Sequence, residues 1–284
     1  MATTLDELRS PIGPTWCPGC GNFSILTVIK QSIVDLGWNL EDVVFVFGIG
    51  CSGNMADFLR GYGLHGLHGR GIANAAGIKM ANHRLHVIMI GGDGDIYGEG
   101  LNHFVAACRA NHDLTVLIHD NQRYSLTTGQ AAPTTAQGTK TKSTPAGVIE
   151  EAINPLALAI TADAGLVARA YAGNLQEMKS IVQTALQHPG FSVVDILQPC
   201  PTFNVEHSYE WYQQNIQALP ADYSATDRGQ ALLRALDESH FQVGVYYQNN
   251  RPAYHQEIAW LKEKTLLEQF PKQVNLSAAL TGFL

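Results

Sequence analysis

Four short runs of apolar, mostly β-branched residues constrain this chain most. Val43 to Phe47 (VVFVF), His86 to Ile90 (HVIMI), Leu114 to Ile118 (LTVLI) and Phe191 to Leu197 (FSVVDIL) are nearly continuous in apolar character rather than alternating. Strands covered on both faces require that pattern. Helix-like segments lie between the runs. Asn22 to Leu36 spaces Ile25, Val28, Ile29, Ile33 and Leu36 at helical intervals, and Gly71 to Met80, Gly98 to Ala110 and Leu175 to Gln187 also read as helices. Such alternation predicts an α/β fold, a parallel sheet with helices on both faces.

In sheets of this kind ligands bind beyond the carboxyl ends of the strands. The first three runs end in GIGCSG, GGDGD and HDN, and chemistry is expected there. Glycines at a strand-to-helix junction let backbone N–H groups approach a phosphate, and the helix start adds a positive dipole end. A carboxylate in the same place would repel the phosphate unless a cation stood between them. Asp93 therefore implies a divalent ion, and oxygen donors favour Mg²⁺. Asn121, at the end of the next strand, offers an amide oxygen, and the carbonyl of Arg123 follows two residues later. An isolated GDGD is an ordinary strand–turn–helix junction. Paired with Asn121 across one helix and one strand, it resembles the thiamine diphosphate motif.

Three more residues, His65, His68 and Arg70, lie in HGLHGRG before a helix, where they serve either as loop residues or as contacts to phosphate or substrate. Gln122 to Pro145 is polar, lacks apolar periodicity and reads as a long functional loop.

Cys17 and Cys20 form a C-x-x-C in WCPGCG, and Pro-Gly between them forces a tight turn. Cys51 follows the first strand run and Cys200 the fourth, so folding can bring both to the edge of the sheet that carries the C-x-x-C loop. Cys108 lies among alanines in a helix and reads as a small core residue. Four thiolates without a histidine partner suit zinc or an iron–sulfur cluster, and composition does not separate the two.

Among the 284 residues 45% are apolar and 15% charged, with a formal charge of −7. This argues against nucleic acid as a partner, which would need a basic patch. No apolar stretch is long enough for a membrane span. Met1 to Ser10 (MATTLDELRS) has no basic region leading into an apolar one, so a cytoplasmic location is expected. Residues 1–200 are expected to form the cofactor-binding domain. Residues 201–284, richer in aromatic and amide side chains, are expected to form an extension packed on the core or on a partner, with one strand-like run at Phe241 to Tyr247.

WCPGCG, GIGCSGN, HGLHGRG, GGDGDIYGEG, HDNQRYSLTTGQ and QPCP occur in this order, followed by ATDRGQALLRAL and QVGVYYQNNRP. The set resembles the β subunit of 2-oxoacid:ferredoxin oxidoreductases. The resemblance implies that Cys17, Cys20, Cys51 and Cys200 hold one [4Fe–4S] cluster. It implies that Asp93, Asn121 and the Arg123 carbonyl hold Mg²⁺ on thiamine diphosphate, with Cys51, Ser52, His68, Gly92, Gly94 and Asp95 around the cofactor. It places His68, Asn54 and Leu126 toward the substrate. Asn54 is a departure, because many relatives carry a basic residue there.

The implied reaction is coenzyme A-dependent oxidative decarboxylation of pyruvate or 2-oxoglutarate, with electrons passing to ferredoxin, and it could run as carboxylation. The pyrimidine-activating glutamate of thiamine enzymes would come from an α subunit, giving an (αβ)₂ assembly. One competing reading is a non-redox thiamine decarboxylase or synthase subunit with structural zinc. Another is a zinc-stapled interaction module.

Overall fold

The computed structural model describes residues 3–269 and 277–282, apart from the side chains of residues 278 and 279. The extension expected over 201–284 therefore runs partly outside the described residues. Eight strands form one sheet. They are β1 (Val43–Phe47), β2 (Tyr62–His65), β3 (His86–Gly92), β4 (Leu114–Asp120), β7 (Leu166–Tyr171), β8 (Phe191–Leu197), β9 (Ile216–Ala218) and β10 (Phe241–Gln248). Their order across the sheet is β2-β1-β3-β4-β8-β7-β10-β9. A separate two-stranded ribbon, β5 (Arg123–Tyr124) with β6 (Gln130–Ala131), lies within the expected loop. Strands β2 through β7 along that order pair in parallel. β10 joins β7 antiparallel, and β9 joins β10 in parallel.

The parallel strands require crossovers, and helices supply them. α1 (Asn22–Asp35) and α5 (Leu175–Gln187) cover one face, where Ile25, Val28, Ile29 and Ile33 meet Met178, Val182 and Ala185. α2 (Gly71–Ala81), α3 (Leu101–Ala110), α4 (Pro155–Thr161) and α7 (Arg228–Leu236) cover the other, around Ile72, Phe104, Leu156 and Ala231. A smaller cluster joins α6 (Tyr209–Asn215) to the far strands through Tyr171, Tyr212 and Val243. Side chains cap several helix starts. Asn154 Oδ1 accepts from Ala157 N–H ahead of Pro155, and Asn174 Oδ1 accepts from Glu177 N–H. Each supplies an acceptor for an otherwise unpaired backbone donor.

β4 and β8 are buried along their whole lengths, as their apolar runs require. Asp195 in β8 is fully buried yet accepts from Arg169 Nε at 3.0 Å and from the Tyr97 hydroxyl at 3.0 Å. Breaking such a buried pair from one side costs about 3–5 kcal/mol.

Three departures from the sequence reading stand out. β2 (YGLH) is exposed at every position, so no apolar pattern announces it. β7 (LVARAY) carries Arg169, which enters the interior only because Asp195 waits on β8. The helix expected from Gly98 starts at Leu101 as α3, after a wide π-type turn over Gly94–Glu99. Wide turns of this type recur at functional sites.

Gly77 sits in α2, exposed, with nothing near the place a Cβ would occupy. Gly77→Ala is expected to stabilise the chain by about 0.5–1 kcal/mol by restricting the unfolded backbone. A thermal melt checks the expected rise in midpoint.

Candidate active site

The carboxyl ends of β1, β3 and β4 converge on one cleft. Its wall includes Cys51 and Ser52 after β1, Gly92 to Asp95 at and after the end of β3, and His119, Asn121 and Arg123 to Thr127 at and after β4. His68 closes one side, and Leu126, 48% exposed, stands at the mouth. The structure thus gathers Cys51, Ser52, His68, Gly92, Asp93, Gly94, Asp95, Asn121, Arg123 and Leu126 around one space. Asn54 lies in the short helical turn Gly53–Asp57 beside the cleft but does not line it. His65 ends the exposed strand β2, and Arg70 contacts His103 at 2.7 Å, so neither faces the cleft.

Asp93 is 1% exposed, and its carboxylate accepts from the Thr134 hydroxyl. Among the described residues no cationic side chain forms an ion pair with it. Burial pushes its pKa up to about 7, against the pull of Thr134 and the Gly94 backbone. Burial likewise raises Asp95, opposed by the Gly69 N–H at 2.8 Å from Oδ1 and by His68. His68 Nδ1 lies 2.7 Å from Asp95 Oδ1 and 3.1 Å from Glu99 Oε2, close contacts without hydrogen-bond geometry. Burial drives His119 down to about 3, so its imidazole stays neutral, with Nδ1 at 2.6 Å from Asn22 Oδ1.

Glycine is required where Tyr124 packs on the turn after β3. A Cβ on Gly94 would stand 2.4 Å from the Tyr124 ring, and one on Gly98 would stand 2.3 Å from its hydroxyl. Tyr124 also leans on His68, at 6.0 Å between rings. Gly94→Ala must displace that ring, and overpacking of this kind costs about 1–3 kcal/mol. A lower melting midpoint and weaker cofactor binding are the expected outcomes, read by thermal melt and calorimetric titration.

Among the described residues several buried polar atoms on this wall lack a hydrogen-bond partner: Ser52 Oγ, His68 Nδ1, Asp95 Oδ2 and His119 Nε2. Buried polar groups are normally satisfied, so such orphans fit a polar ligand that completes them. Asp93 fits a divalent cation for the same reason: a bound cation favours the ionised carboxylate that burial opposes.

The cysteines occupy the adjoining edge. Cys20 N–H donates to the Cys17 carbonyl at 3.0 Å, closing a turn in which Gly19 adopts φ +79°. Trp16 Nε1 donates to the Cys51 carbonyl at 2.6 Å and packs edge-on against Phe23 and Phe58, tying the C-x-x-C loop to the turn after β1. Cys17 is exposed, Cys20 and Cys200 are buried and Cys51 is half-buried. Burial first, then the proximity of Cys200, Cys51 and Cys17, pushes Cys20 up to about 12. Cys51 is held at about 11 by burial, then by Cys200 and Cys17. Cys20 thus feels the other three sulfurs, and Cys51 feels Cys17 and Cys200.

Among the described residues no three His, Cys, Asp or Glu side chains are gathered closely enough to hold an ion as they stand. The donor set nonetheless fits a thiolate-bound group, with four sulfurs on three loops at one edge of the sheet. Cys108 is separate from them, fully buried in α3 among Ala107 and Phe104.

Sequence reasoning passed over Tyr124, Ser125, Thr134 and Gln198. Gln198 Oε1 accepts from Asn121 Nδ2 at 2.9 Å, while its Nε2 donates to Cys20 Sγ at 3.2 Å. Ser125 Oγ donates to Asn121 Oδ1 at 3.1 Å and lies 3.4 Å from Cys200 Sγ. Asn121 Oδ1 also accepts from Arg123 N–H at 3.1 Å, and its carbonyl accepts from Asn204 at 3.0 Å.

The cleft lies at the carboxyl edge of the parallel strands, and residues 48–196 match the family "Thiamine pyrophosphate enzyme, C-terminal TPP binding domain", which makes this a thiamine diphosphate-binding domain. Residues 200–263 match the C-terminal family of the pyruvate ferredoxin oxidoreductase beta subunit. A 2-oxoacid:ferredoxin oxidoreductase subunit beta from Sulfolobus sp is 45% identical over 258 residues, covering 86% of this chain and 85% of that relative. A 2-oxoglutarate synthase subunit KorB from Archaeoglobus fulgidus is 43% identical over 198 residues, 69% of this chain and 74% of that one. The solved 2-oxoglutarate:ferredoxin oxidoreductase from Magnetococcus marinus, with 2-oxoglutarate, coenzyme A and succinyl-CoA bound, superposes with a TM-score of 0.91 at 32% identity, over 98% of this chain and 95% of that one. The chain belongs to the β-subunit family of 2-oxoacid:ferredoxin oxidoreductases. A β subunit presupposes a partner chain. No helix among the described residues is long and apolar enough to cross a membrane.

Proposed function

We propose that this chain carries the thiamine diphosphate site and one [4Fe–4S] cluster of an enzyme that converts a 2-oxoacid and coenzyme A to acyl-CoA and carbon dioxide, passing two electrons through the cluster to ferredoxin. The observation that carries this reading is the adjacency of the two constellations, with Gln198 and Ser125 each touching both Asn121 and a cysteine sulfur. A one-electron acceptor beside a thiamine site has a use in an oxidative decarboxylation and none in a non-redox one.

Bound thiamine diphosphate supplies the electron sink that lets carbon dioxide leave. Asp93, Asn121 and the Arg123 carbonyl hold Mg²⁺. Ser52 and the backbone of Gly92 and Gly94 take the diphosphate, beside Cys51 and Asp95. His68 stands against the Asp95 and Glu99 carboxylates at the cleft wall, and Leu126 shields the mouth. Cys17, Cys20, Cys51 and Cys200 hold the cluster. Asn54, beside the cleft, contributes to substrate choice.

The KorB-type relatives favour 2-oxoglutarate over pyruvate. The α partner brings the pyrimidine-activating glutamate, and the unit doubles to (αβ)₂ in the cytoplasm. Residues 1–200 form the cofactor-binding part, with the described residues beyond 200 packed against it or against the partner. Metal, sulfide and thiamine analysis of the anaerobically purified complex tests this reading. About four irons per β chain, the content of one four-iron cluster, are expected together with one thiamine diphosphate. Zinc without iron would overturn it.

A further inference from the structure

Ser125 and Gln198 are buried and join the cleft to the cysteines. Gln198 is fully engaged: its amide oxygen accepts from Asn121, and its amide nitrogen donates to Cys20 Sγ and to the Pro199 carbonyl at 3.4 Å. Ser125 is different. Its hydroxyl carries one proton and has two acceptors within reach, Asn121 Oδ1 at 3.1 Å and Cys200 Sγ at 3.4 Å. Asn121 Oδ1 already receives the Arg123 N–H. Any cation that takes this oxygen competes with the Ser125 proton for its electron density.

We infer that Ser125 and Gln198 are positioning residues coupling the cation–diphosphate site to the cysteine cluster, and that the Ser125 hydroxyl changes acceptor when the site fills. This rests on the cofactor reading above. With Mg²⁺ on Asn121 Oδ1, the hydroxyl turns to Cys200 Sγ. A hydrogen bond to a cluster sulfur stabilises the more negative, reduced state and raises the reduction potential. The cluster then becomes a better electron acceptor only when the cofactor is in place. Gln198 keeps the two sites in register, because the amide that orients Asn121 is also the donor to Cys20.

The test uses the complex with its α partner, purified with the cluster but without thiamine diphosphate. The cluster's midpoint potential is titrated before and after adding Mg²⁺ and thiamine diphosphate, with iron and thiamine measured in the same samples. Filling the site is expected to shift the reduction equilibrium about tenfold toward the reduced cluster, the effect of one hydrogen bond to a charged acceptor, or about 59 mV for one electron. Ser125→Ala is expected to abolish the shift while iron and thiamine remain bound, and Ser125→Thr, which keeps the hydroxyl, to restore it. A change in exchangeable-proton coupling on the reduced cluster should accompany cofactor binding in the native complex and be missing from Ser125→Ala. The same shift in Ser125→Ala, or no shift in a native complex containing both cofactors, would overturn the coupling alone. Absence of iron or thiamine from the native complex would instead overturn the cofactor reading, and the coupling with it.

Discussion

Asp93→Ala is expected to abolish Mg²⁺-dependent binding of thiamine diphosphate and to leave both the fold and the iron content intact. The carboxylate is buried, its hydrogen-bond support comes from Thr134 and the Gly94 backbone, and its pKa is pushed up to about 7. In the free protein it destabilises the fold once ionised. Its folded pKa lies above the ordinary value of 3.8, so the folded state holds the proton more tightly than the unfolded chain does. The sign follows: the contribution is most favourable at low pH and is lost as pH rises from about 4 through about 7. Asp93→Ala should remove this pH-dependent part of stability.

Cation binding runs the other way. The metal needs the ionised carboxylate, so cofactor affinity in the native protein should climb with pH to about 7 and then level off. Isothermal titration from pH 5.5 to 8, with melts of the cofactor-free protein over the same range, measures both slopes. Tight Mg²⁺-dependent binding in Asp93→Ala would show that the cation is held elsewhere.

Cys200→Ser is expected to strip most of the iron, whereas Cys108→Ala keeps it. Both sulfurs are buried, at 6% and 0% exposure, so burial does not distinguish them. Surroundings do. Cys200 neighbours Cys20 and Cys51 closely enough to raise their pKa values, and Ser125 lies against its sulfur. Cys108 sits in α3 within an apolar cluster, and burial alone pushes its thiol far above the ordinary range. Removing its sulfur leaves a small void and costs about 1 kcal/mol, near the value of one buried methylene. Iron content and melting midpoint of the two variants separate the roles. Iron retained in Cys200→Ser and lost in Cys108→Ala would reverse the ligand assignment.

Much of this was legible in the chain. VVFVF, HVIMI, LTVLI and FSVVDIL each became a strand of the sheet, and α5 spans the expected Leu175 to Gln187. These elements are fully covered, so local apolar content reports them faithfully. β2 was hidden because an exposed edge strand needs no apolar side chains. β7 was hidden because Arg169 is tolerated only through Asp195, 26 residues away in the chain. The run at Phe241 to Tyr247 was visible, but not its place: it extends the main sheet antiparallel to β7 instead of standing apart.

The cleft wall was largely readable because glycines, carboxylates and an amide at strand ends have few other uses. Its connections were not. Gln198 precedes the Pro-Cys-Pro of QPCP and looks like any amide. Only the pairing of β4 with β8 brings it beside Asn121 and Cys20. Thr134 lies within a polar loop whose composition gives no hint that one hydroxyl reaches Asp93.

On this reading the thiamine cleft and the cysteine cluster act as one electron-transfer unit. Its most direct test is the absorption spectrum of the anaerobic αβ complex before and after addition of 2-oxoglutarate with coenzyme A, in the absence of ferredoxin. A brown band that bleaches on mixing with substrate and recovers when ferredoxin is supplied is the expected result. A complex that binds thiamine diphosphate and releases carbon dioxide while its spectrum stays unchanged would contradict the claim.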